Sequence, residues 1–199
     1  MKKALYIILF LLAILAWRDW RHREITHESG ILVAELPRQV DIEESRFILV
    51  EDYRLTLRAE FELRARVLSI EHYRWGSEAG LSPVDFALGW GVMSDQAVLD
   101  RISIAQGGRW YFTRYELPAP VTDRQIITSS SNMHMIPANT WVADKLDEVR
   151  IGSVVQFKGF LVDVDANSGF FWRTSLRRDD TGNGSCEIFY VESLYIEDS

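Results

Sequence analysis

Residues 55–67, LTLRAEFELRARV, place an apolar side chain at every second position over the whole segment. A helix of this sequence would spread those apolar side chains around its circumference. Alternation with a period of two instead predicts a long β-strand that buries one face and exposes the other. The arginines and glutamates in between are expected to form a solvated face with cross-strand ion pairs. The segment therefore predicts a sheet as the basis of the fold.

The last fifty residues contain three more strand-like runs, 149–165, 169–176 and 185–195. Turn-forming Asn, Asp, Ser and Gly residues separate these runs, which predicts an antiparallel meander. Gly152 and Gly159 predict a sharp bend in the first of the three strands, as a small closed or half-closed barrel requires.

Short helices are expected between the sheet segments. Ser82, followed by a proline and an acidic residue, predicts a helix that continues through Leu88 and ends at the glycines beyond it. Asp95 and Asn139 are N-cap residue types, and each precedes another short helical segment.

Residues 109–115 and 126–131 have strand composition. The expected fold class is α+β: a curved antiparallel sheet or a small OB-like barrel with two or three short helices, preceded by an N-terminal transmembrane helix.

Composition and charge exclude several classes of protein. The chain of 199 residues is 47% hydrophobic and 26% charged, with a net charge of −7, which is ordinary for a globular protein. Its one cysteine, Cys186, excludes an intrachain disulfide and a cysteine-cluster zinc site. Residues 1–23 hold five basic residues and one acidic residue, which leaves 17 basic and 28 acidic residues, net −11, in the remainder. Because such a body repels phosphate, a nucleic-acid partner is not expected.

The amino-terminal residues 4–17, ALYIILFLLAILAW, carry no charge. As a helix they span about 21 Å, which is shorter than the hydrocarbon core of about 30 Å. No small-x-small cleavage signal follows them. We therefore expect an uncleaved anchor that contacts the lipid bilayer through residues 4–20, with lysines at one end and Trp17 and Trp20 at the other in the headgroup regions.

This organisation divides the chain into a membrane anchor over residues 1–23, a connecting segment over 24–46 and a single globular α+β domain over 47–199. Basic residues flank the apolar run at both ends, so the positive-inside count is nearly balanced. We expect a single-pass protein of the bacterial inner membrane with its domain in the periplasm. Anionic lipid is expected to hold the acidic body away from the bilayer on the connecting segment.

His134 has the chemistry of a general base or a metal ligand. No other histidine has ligand spacing with it, so no metal site is expected. Combined with Asp95 and with Glu187 or Cys186, His134 would form the catalytic site of a hydrolase. The alternatives are a histidine hydrogen-bonded near a strand end and a cysteine that packs as a small apolar residue.

Two acidic segments, 163–167 and 179–184, begin like calcium loops. Thr174 and Tyr190 stand where such loops need a bidentate glutamate, so both segments are expected to be hairpin turns. No phosphate-loop or dinucleotide-binding spacing occurs in the sequence, and no cofactor is expected.

The aromatic residues alternate with arginines in several segments, a combination that stacks on ligands or fills a core. The candidate binding residues are Trp90, Asn132, Arg173, Arg177 and Arg178.

Four strings resemble those of an uncharacterised family of short bacterial proteins with an N-terminal membrane segment. They are LSPVDFALGWGVMSD (81–95), RWYF (109–112), SNMHMIPA (131–138) and SLRRDDTGNGSCE (175–187). The resemblance implies a bacterial, membrane-tethered domain. If the strings form a site, its members would be Asp85, Trp90, Asp95, Asn132, His134, Asp180 and Glu187.

These observations favour a membrane-anchored extracytoplasmic binding domain without enzymatic activity, with a protein partner in the envelope. The hydrolase around His134 is the alternative, and a nucleic-acid module on an OB-like barrel is a third, which the charge disfavours.

Overall fold

The computed structural model describes residues 23–76, 78–179 and 186–197, together with residues 6, 8–10 and 12. The fold is α+β and mostly β-sheet. The strands are β1 (Arg38–Val50), β2 (Tyr53–His72), β3 (Val84–Gly89), β4 (Ile102–Gly107), β5 (Trp110–Tyr115), β6 (Ser130–Pro137), β7 (Val154–Ala166), β8 (Phe171–Trp172) and β9 (Glu187–Ile196). The helices of residues 23–197 are a 3₁₀ turn (Gly91–Ser94), α1 (Gln96–Leu99), α2 (Asp123–Thr128) and α3 (Thr140–Glu148).

The long strand expected from residues 55–67 is confirmed as part of β2. Every apolar residue of the alternating set, from Leu55 to Val67, is buried. One edge of β2 pairs with β1 and then with β3, while the other edge pairs with β7 over residues 53–66. Because β3 and β7 belong to the same sheet, the pairing of β2 with both of them closes the sheet on itself.

Five strands close into a circuit, which we call the barrel, in the order β2, β3, β6, β9, β7 and back to β2. The pairing of β6 with β9 is parallel, and the other pairings of the circuit are antiparallel. Helix α3 connects β6 to β7. The interior of the circuit holds the main hydrophobic core, which includes Phe61, Phe86, Met133, Phe157 and Phe189.

The helix expected over residues 82–88 is wrong, because Val84–Gly89 form strand β3. All six residues of this strand are buried, with the barrel on one side and the β4–β5 hairpin on the other. The strand expected over 126–131 is also wrong in part: α2 occupies residues 123–128 and β6 begins at Ser130. The helices capped by Asp95 and Asn139 and the strand near 109–115 are confirmed.

The carboxy-terminal strands do not form a simple meander. Strand β9 lies between β6 and β7 instead of beside β8, and β8 is only two residues long. Gly159 lies at a register shift between β7 and β9, where a Cβ atom would collide with the carbonyl of Tyr190. The expected irregularity of this strand is therefore present at Gly159.

Beyond the barrel, β1, the start of β2, the end of β7 and β8 continue as a four-stranded extension. One face of this extension packs on the outside of the barrel through a second cluster, which includes Leu55, Val162, Val164, Ile188 and Tyr190. The opposite face is turned away from this cluster.

The segment expected to connect the anchor to the domain lies against the barrel. The Ile25 amide donates to the Ile151 carbonyl at 2.9 Å, and Val33 is fully buried and hydrogen-bonded to the Ser94 hydroxyl at 3.0 Å. From Arg38 onward the chain belongs to β1.

Most of the expected anchor, Asp180 and most of the turn at 179–184 lie outside the described residues. Among the residues that are described, no helix has the length and apolar character needed to cross a membrane.

Candidate functional site

The outer faces of β3 and β6 carry the polar residues of the sequence motifs. Along β3, Val84, Phe86 and Leu88 point into the barrel. The intervening Asp85 therefore points outward, because side chains alternate along a strand. The register pairs Asp85 directly with His134 of β6. Two motifs separated by about fifty residues of sequence thus meet on one patch of sheet.

Asp85 and His134 form the centre of a buried ionic cluster, which we call the Asp85 network. Both side chains are almost completely removed from solvent, and Asp85 Oδ2 lies 2.9 Å from His134 Nδ1. The other carboxylate oxygen accepts a hydrogen bond from Arg109 Nη1 at 2.7 Å. The carboxylate thus lies between a guanidinium and an imidazole in a region of low dielectric, where electrostatic attraction is strong.

Arg109 enters the Asp85 network from the turn of the β4–β5 hairpin. Its backbone φ of +70° lies in the left-handed region, which turns the chain over the sheet. Its guanidinium also donates to the Ser82 carbonyl at 2.9 Å and lies over the ring of Tyr73, 3.7 Å from the centroid. The same Cζ atom lies 5.5 Å from the centroid of the Trp172 ring. The cation is held by hydrogen bonds and by two aromatic faces.

Tyr73 completes the edge of this cluster. Its hydroxyl oxygen accepts a hydrogen bond from the Arg109 backbone amide at 3.1 Å. Burial of the phenol, together with the nearby charge of Asp85, raises the pKa of Tyr73 to about 12. The hydroxyl therefore stays protonated at physiological pH.

The side chain of Trp172, in β8, covers the imidazole ring of His134. Its ring centroid lies 4.3 Å from that of His134. Next to the histidine on the outer face of β6, Asn132 donates to the Arg109 carbonyl at 3.2 Å and accepts from Gln106 at 2.6 Å. Cys186 Sγ lies 3.8 Å from the same carbonyl. Asn132 thus ties the patch to the hairpin, whereas Asp85 Oδ2 and His134 Nδ1 are buried without a hydrogen-bond partner in good geometry.

The network has one chemical capacity of interest. A carboxylate within 3 Å of a histidine Nδ1 can fix the imidazole tautomer and stabilise the protonated ring, as the orienting residue of a catalytic triad does. A reacting group would have to approach from the side that Trp172 and the hairpin cover.

The remaining candidate catalytic residues lie elsewhere. The Asp95 carboxylate caps α1 by accepting from the Ala97 amide at 2.9 Å, and it also accepts from Gly30 at 2.9 Å. Glu187 points into the barrel, where it contacts the Ser131 hydroxyl and the Arg178 guanidinium. His134 and Glu187 therefore face opposite sides of the sheet.

The candidate binding residues also separate. Trp90 is buried in the barrel core and donates from its indole to the Thr128 carbonyl at 3.1 Å. Arg178 is largely buried beside Glu187, whereas Arg173 and Arg177 are mostly exposed and pair with Asp165 and Asp179. Of the five, the two last-named arginines lie on accessible surface.

Sequence reasoning included Asp85 and His134 but missed that they bind each other, and it did not place Arg109, Tyr73 and Trp172 at the site. Their common signal is weak. Each is a polar or aromatic residue at or next to a strand end, and tertiary packing around the Asp85–His134 pair brings them together.

A second candidate surface is the outer face of the four-stranded extension, which we call the extension face. One row across the sheet pairs Leu49 with Arg54, Arg54 with Asp165, and Asp165 with Phe171. Leu49 is 69% exposed, Phe171 67%, and Phe47 in the adjoining row 50%. The guanidinium of Arg54 lies 4.1 Å from the Phe47 centroid, and that of Arg173 lies 5.4 Å from the Phe171 centroid.

Comparison of the chain with protein-family models, with curated proteins and with solved structures found no match. In the part of the chain that the structure describes, no group of three or more His, Cys, Asp and Glu side chains is arranged to hold a metal ion.

Proposed function

We propose that this chain is a membrane-anchored extracytoplasmic binding domain without enzymatic activity, and that it binds a protein partner in the envelope through the extension face. The observation that carries the proposal is the exposure of Phe47, Leu49 and Phe171 on one sheet face. Aromatic side chains and arginines, which stand together on this face, are enriched in protein–protein interfaces.

The anchoring is supported by the described part of the apolar run. Residues 6, 8–10 and 12 are helical, and each of their apolar side chains is more than half exposed. A helix that belonged to the core of the domain would bury these side chains. Lipid is the environment that removes them from water without a protein contact.

The absence of catalysis is supported by the burial of the Asp85 network. A buried carboxylate that is hydrogen-bonded to Arg109 and lies 2.9 Å from His134, beneath Trp172, acts mainly in positioning the β4–β5 hairpin over the sheet. Asp95 supports this interpretation, because its carboxylate is used to cap α1.

We also infer that the barrel is OB-like. The order β2, β3, β6, β9, β7, the parallel pairing of β6 with β9, and the helix between β6 and β7 support this assignment. OB-folds bind nucleic acid on the face that β3 and β6 occupy here, and in this chain the hairpin buries that face. The fold therefore adds no support for a nucleic-acid partner.

Site-specific photocrosslinking tests the proposed binding face. Benzoylphenylalanine is introduced singly at positions 47, 49 and 171 of the full chain in cells, and at Leu117, which is 86% exposed, as a matched control. We expect one discrete adduct with an envelope protein from the first three positions and none from position 117.

A competing substitution makes the test specific. With the photoprobe at 171, Leu49→Glu should reduce the adduct at least tenfold, since a charge at the centre of an interface costs about 1.4 kcal/mol or more. Equal adducts at all four positions, or none at 47, 49 and 171, would refute the proposed face.

The hydrolase remains a second candidate because of one observation: the 2.9 Å contact of Asp85 with His134 on the same face as Cys186. In that case Asp85, and not Asp95, would orient His134, with Cys186 as nucleophile. Turnover of p-nitrophenyl esters by the full chain, lost in both Cys186→Ser and His134→Gln, would support it. No turnover by the unmodified chain would exclude this class of ester hydrolysis.

A further inference from the structure

A groove lies at the end of the barrel opposite the extension face. Its volume is about 510 Å³, and it lies between α3 and the end of β9. Trp141 of α3 and Tyr195 of β9 line it and are 55% and 58% exposed. Two aromatic rings with polar edges thus stand beside solvent on one end of the molecule.

The chain enters the domain at this groove. Ile25 lines it and is fixed there by the hydrogen bond from its amide to Ile151 and by the close approach of its carbonyl to Gly152. Two residues further along the chain, His27 Nε2 lies 2.7 Å from the Gly152 carbonyl oxygen and forms a second attachment. Gly152 has φ +88°, and a Cβ atom there would collide with the Ile25 carbonyl.

This attachment limits how far the groove can stand from the apolar run. Ile25 follows Trp17, the last residue of that run, by eight residues. Eight residues reach at most about 29 Å when fully extended. The connecting segment therefore does not act as a long free tether.

We infer that this end of the barrel rests on the bilayer, with Trp141 and Tyr195 in the headgroup region. The inference rests on the proposed anchoring, and it replaces the expectation that anionic lipid holds the body away from the bilayer on the connecting segment. Trp and Tyr are enriched at this level of a membrane, because their rings are apolar and their N–H and O–H groups reach water.

The charges around the groove fit a headgroup surface. Of its two acidic residues, Glu148 pairs with Lys145 at 2.6 Å and Glu197 pairs with Arg64 at 2.6 Å. Within the described part of the chain Arg150 has no carboxylate within ion-pair distance. One cation is thus left for lipid phosphate, on a body whose net charge is −11.

The experiment places an environment-sensitive probe at each end of the full chain. In a Cys186→Ser background, Trp141→Cys, Tyr195→Cys and Leu49→Cys are labelled singly with NBD and reconstituted into phosphatidylcholine–phosphatidylglycerol vesicles. Leu49 is the matched control, since about 36 Å of strand separates Val154 from Asp165 in its row. Headgroup-proximal doxyl lipids then quench any probe that touches the bilayer.

We expect quenching and a blue shift at positions 141 and 195, with at least about fivefold less quenching at 49. Vesicle co-sedimentation distinguishes failure of the anchoring from failure of the contact between the groove and the bilayer. A chain that sediments with vesicles but whose probes at 141 and 195 are quenched no more than that at 49 overturns the inference and leaves the anchoring intact.

A chain that does not sediment overturns both. A blue shift at 141 and 195 without quenching by lipid would assign the groove to a second copy of the chain or another protein segment, and would also overturn the inference. Circular dichroism of each labelled variant verifies that the fold is retained.

Discussion

Asp85 holds two neighbours that depend on its charge. Arg109 and His134 are both within hydrogen-bonding distance, and both approach a carboxylate that has no access to water. Removing one member of a buried ion pair leaves the other charge without compensation and destabilises a fold by about 3–5 kcal/mol. We therefore expect Asp85→Ala to lower the free energy of unfolding by this amount, as measured by urea denaturation of the full chain in detergent.

The chain contains a matched control for this substitution. His72 and Asp147 form another histidine–aspartate pair at 4.0 Å, but both side chains are largely exposed. Asp147→Ala should change the free energy of unfolding by no more than about 0.5 kcal/mol. Similar effects at the two positions would mean that the Asp85 network does not fix the hairpin.

Tyr73 gives the site a defined response to alkaline pH. Its pKa is raised from 10.0 to about 12 in the folded chain, so between these values the folded protein keeps a proton that the unfolded chain has lost. The corresponding stabilisation is complete below pH 10 and falls as the pH rises toward 12. We expect difference absorbance at 295 nm, wild type minus Tyr73→Phe, to show a phenol that titrates near pH 12.

The same variant also tests the sign of this linkage. Tyr73→Phe should lose less stability than the wild type between pH 10 and 11, although it starts about 1 kcal/mol lower because the hydrogen bond from Arg109 is absent. A Tyr73 titration near pH 10 would show that the hydroxyl is exposed to water.

At the scale of elements, Gly152 joins the amino-terminal segment to the barrel. A side chain there would require both a strained positive φ and displacement of Ile25. We expect Gly152→Ala to destabilise the fold by at least about 2 kcal/mol and to increase hydrogen exchange at the Ile25 amide. Gly80→Ala is the control, because a Cβ at Gly80 meets no atom within 4 Å. Retained protection at Ile25 in the Gly152 variant would contradict this attachment.

The elements differ in how clearly the sequence predicts them. The strand over 55–67 was predictable because one of its faces meets the core and the other meets polar surroundings, which leaves a period of two. Strand β3 was not, because burial on both faces removes the alternation and leaves Ser82 and Pro83 as misleading helix signals. The position of β9 depends on pairing with β6, a contact of high sequence separation.

The same reason limits prediction of the site. His134 and Asp85 were recognisable as unusual polar residues in apolar strings, but their contact follows from strand register, which a single sequence does not specify. Arg109 was noted only as part of the RWYF string, since its contact with Asp85 depends on a turn that folds back over the sheet.

For the whole molecule, the long strands β2 and β7 set apart two ends with different surfaces. Ile25, Trp141 and Tyr195 mark one end, and Leu49 and Phe171 mark the other. In the proposed membrane placement, a domain held at the first end presents the second away from the bilayer. This arrangement suits a partner in the aqueous compartment better than one buried in the membrane.

Charge does not decide the side of the membrane, because basic residues flank the apolar run on both sides. Short amino-terminal anchors of this design usually export the segment that follows them. We expect the body to be periplasmic. A Leu117→Cys, Cys186→Ser chain, with its one thiol on a highly exposed residue, should react with a membrane-impermeant maleimide in spheroplasts before lysis. Labelling only after lysis would place the domain in the cytoplasm, and the partner would then have to be sought there.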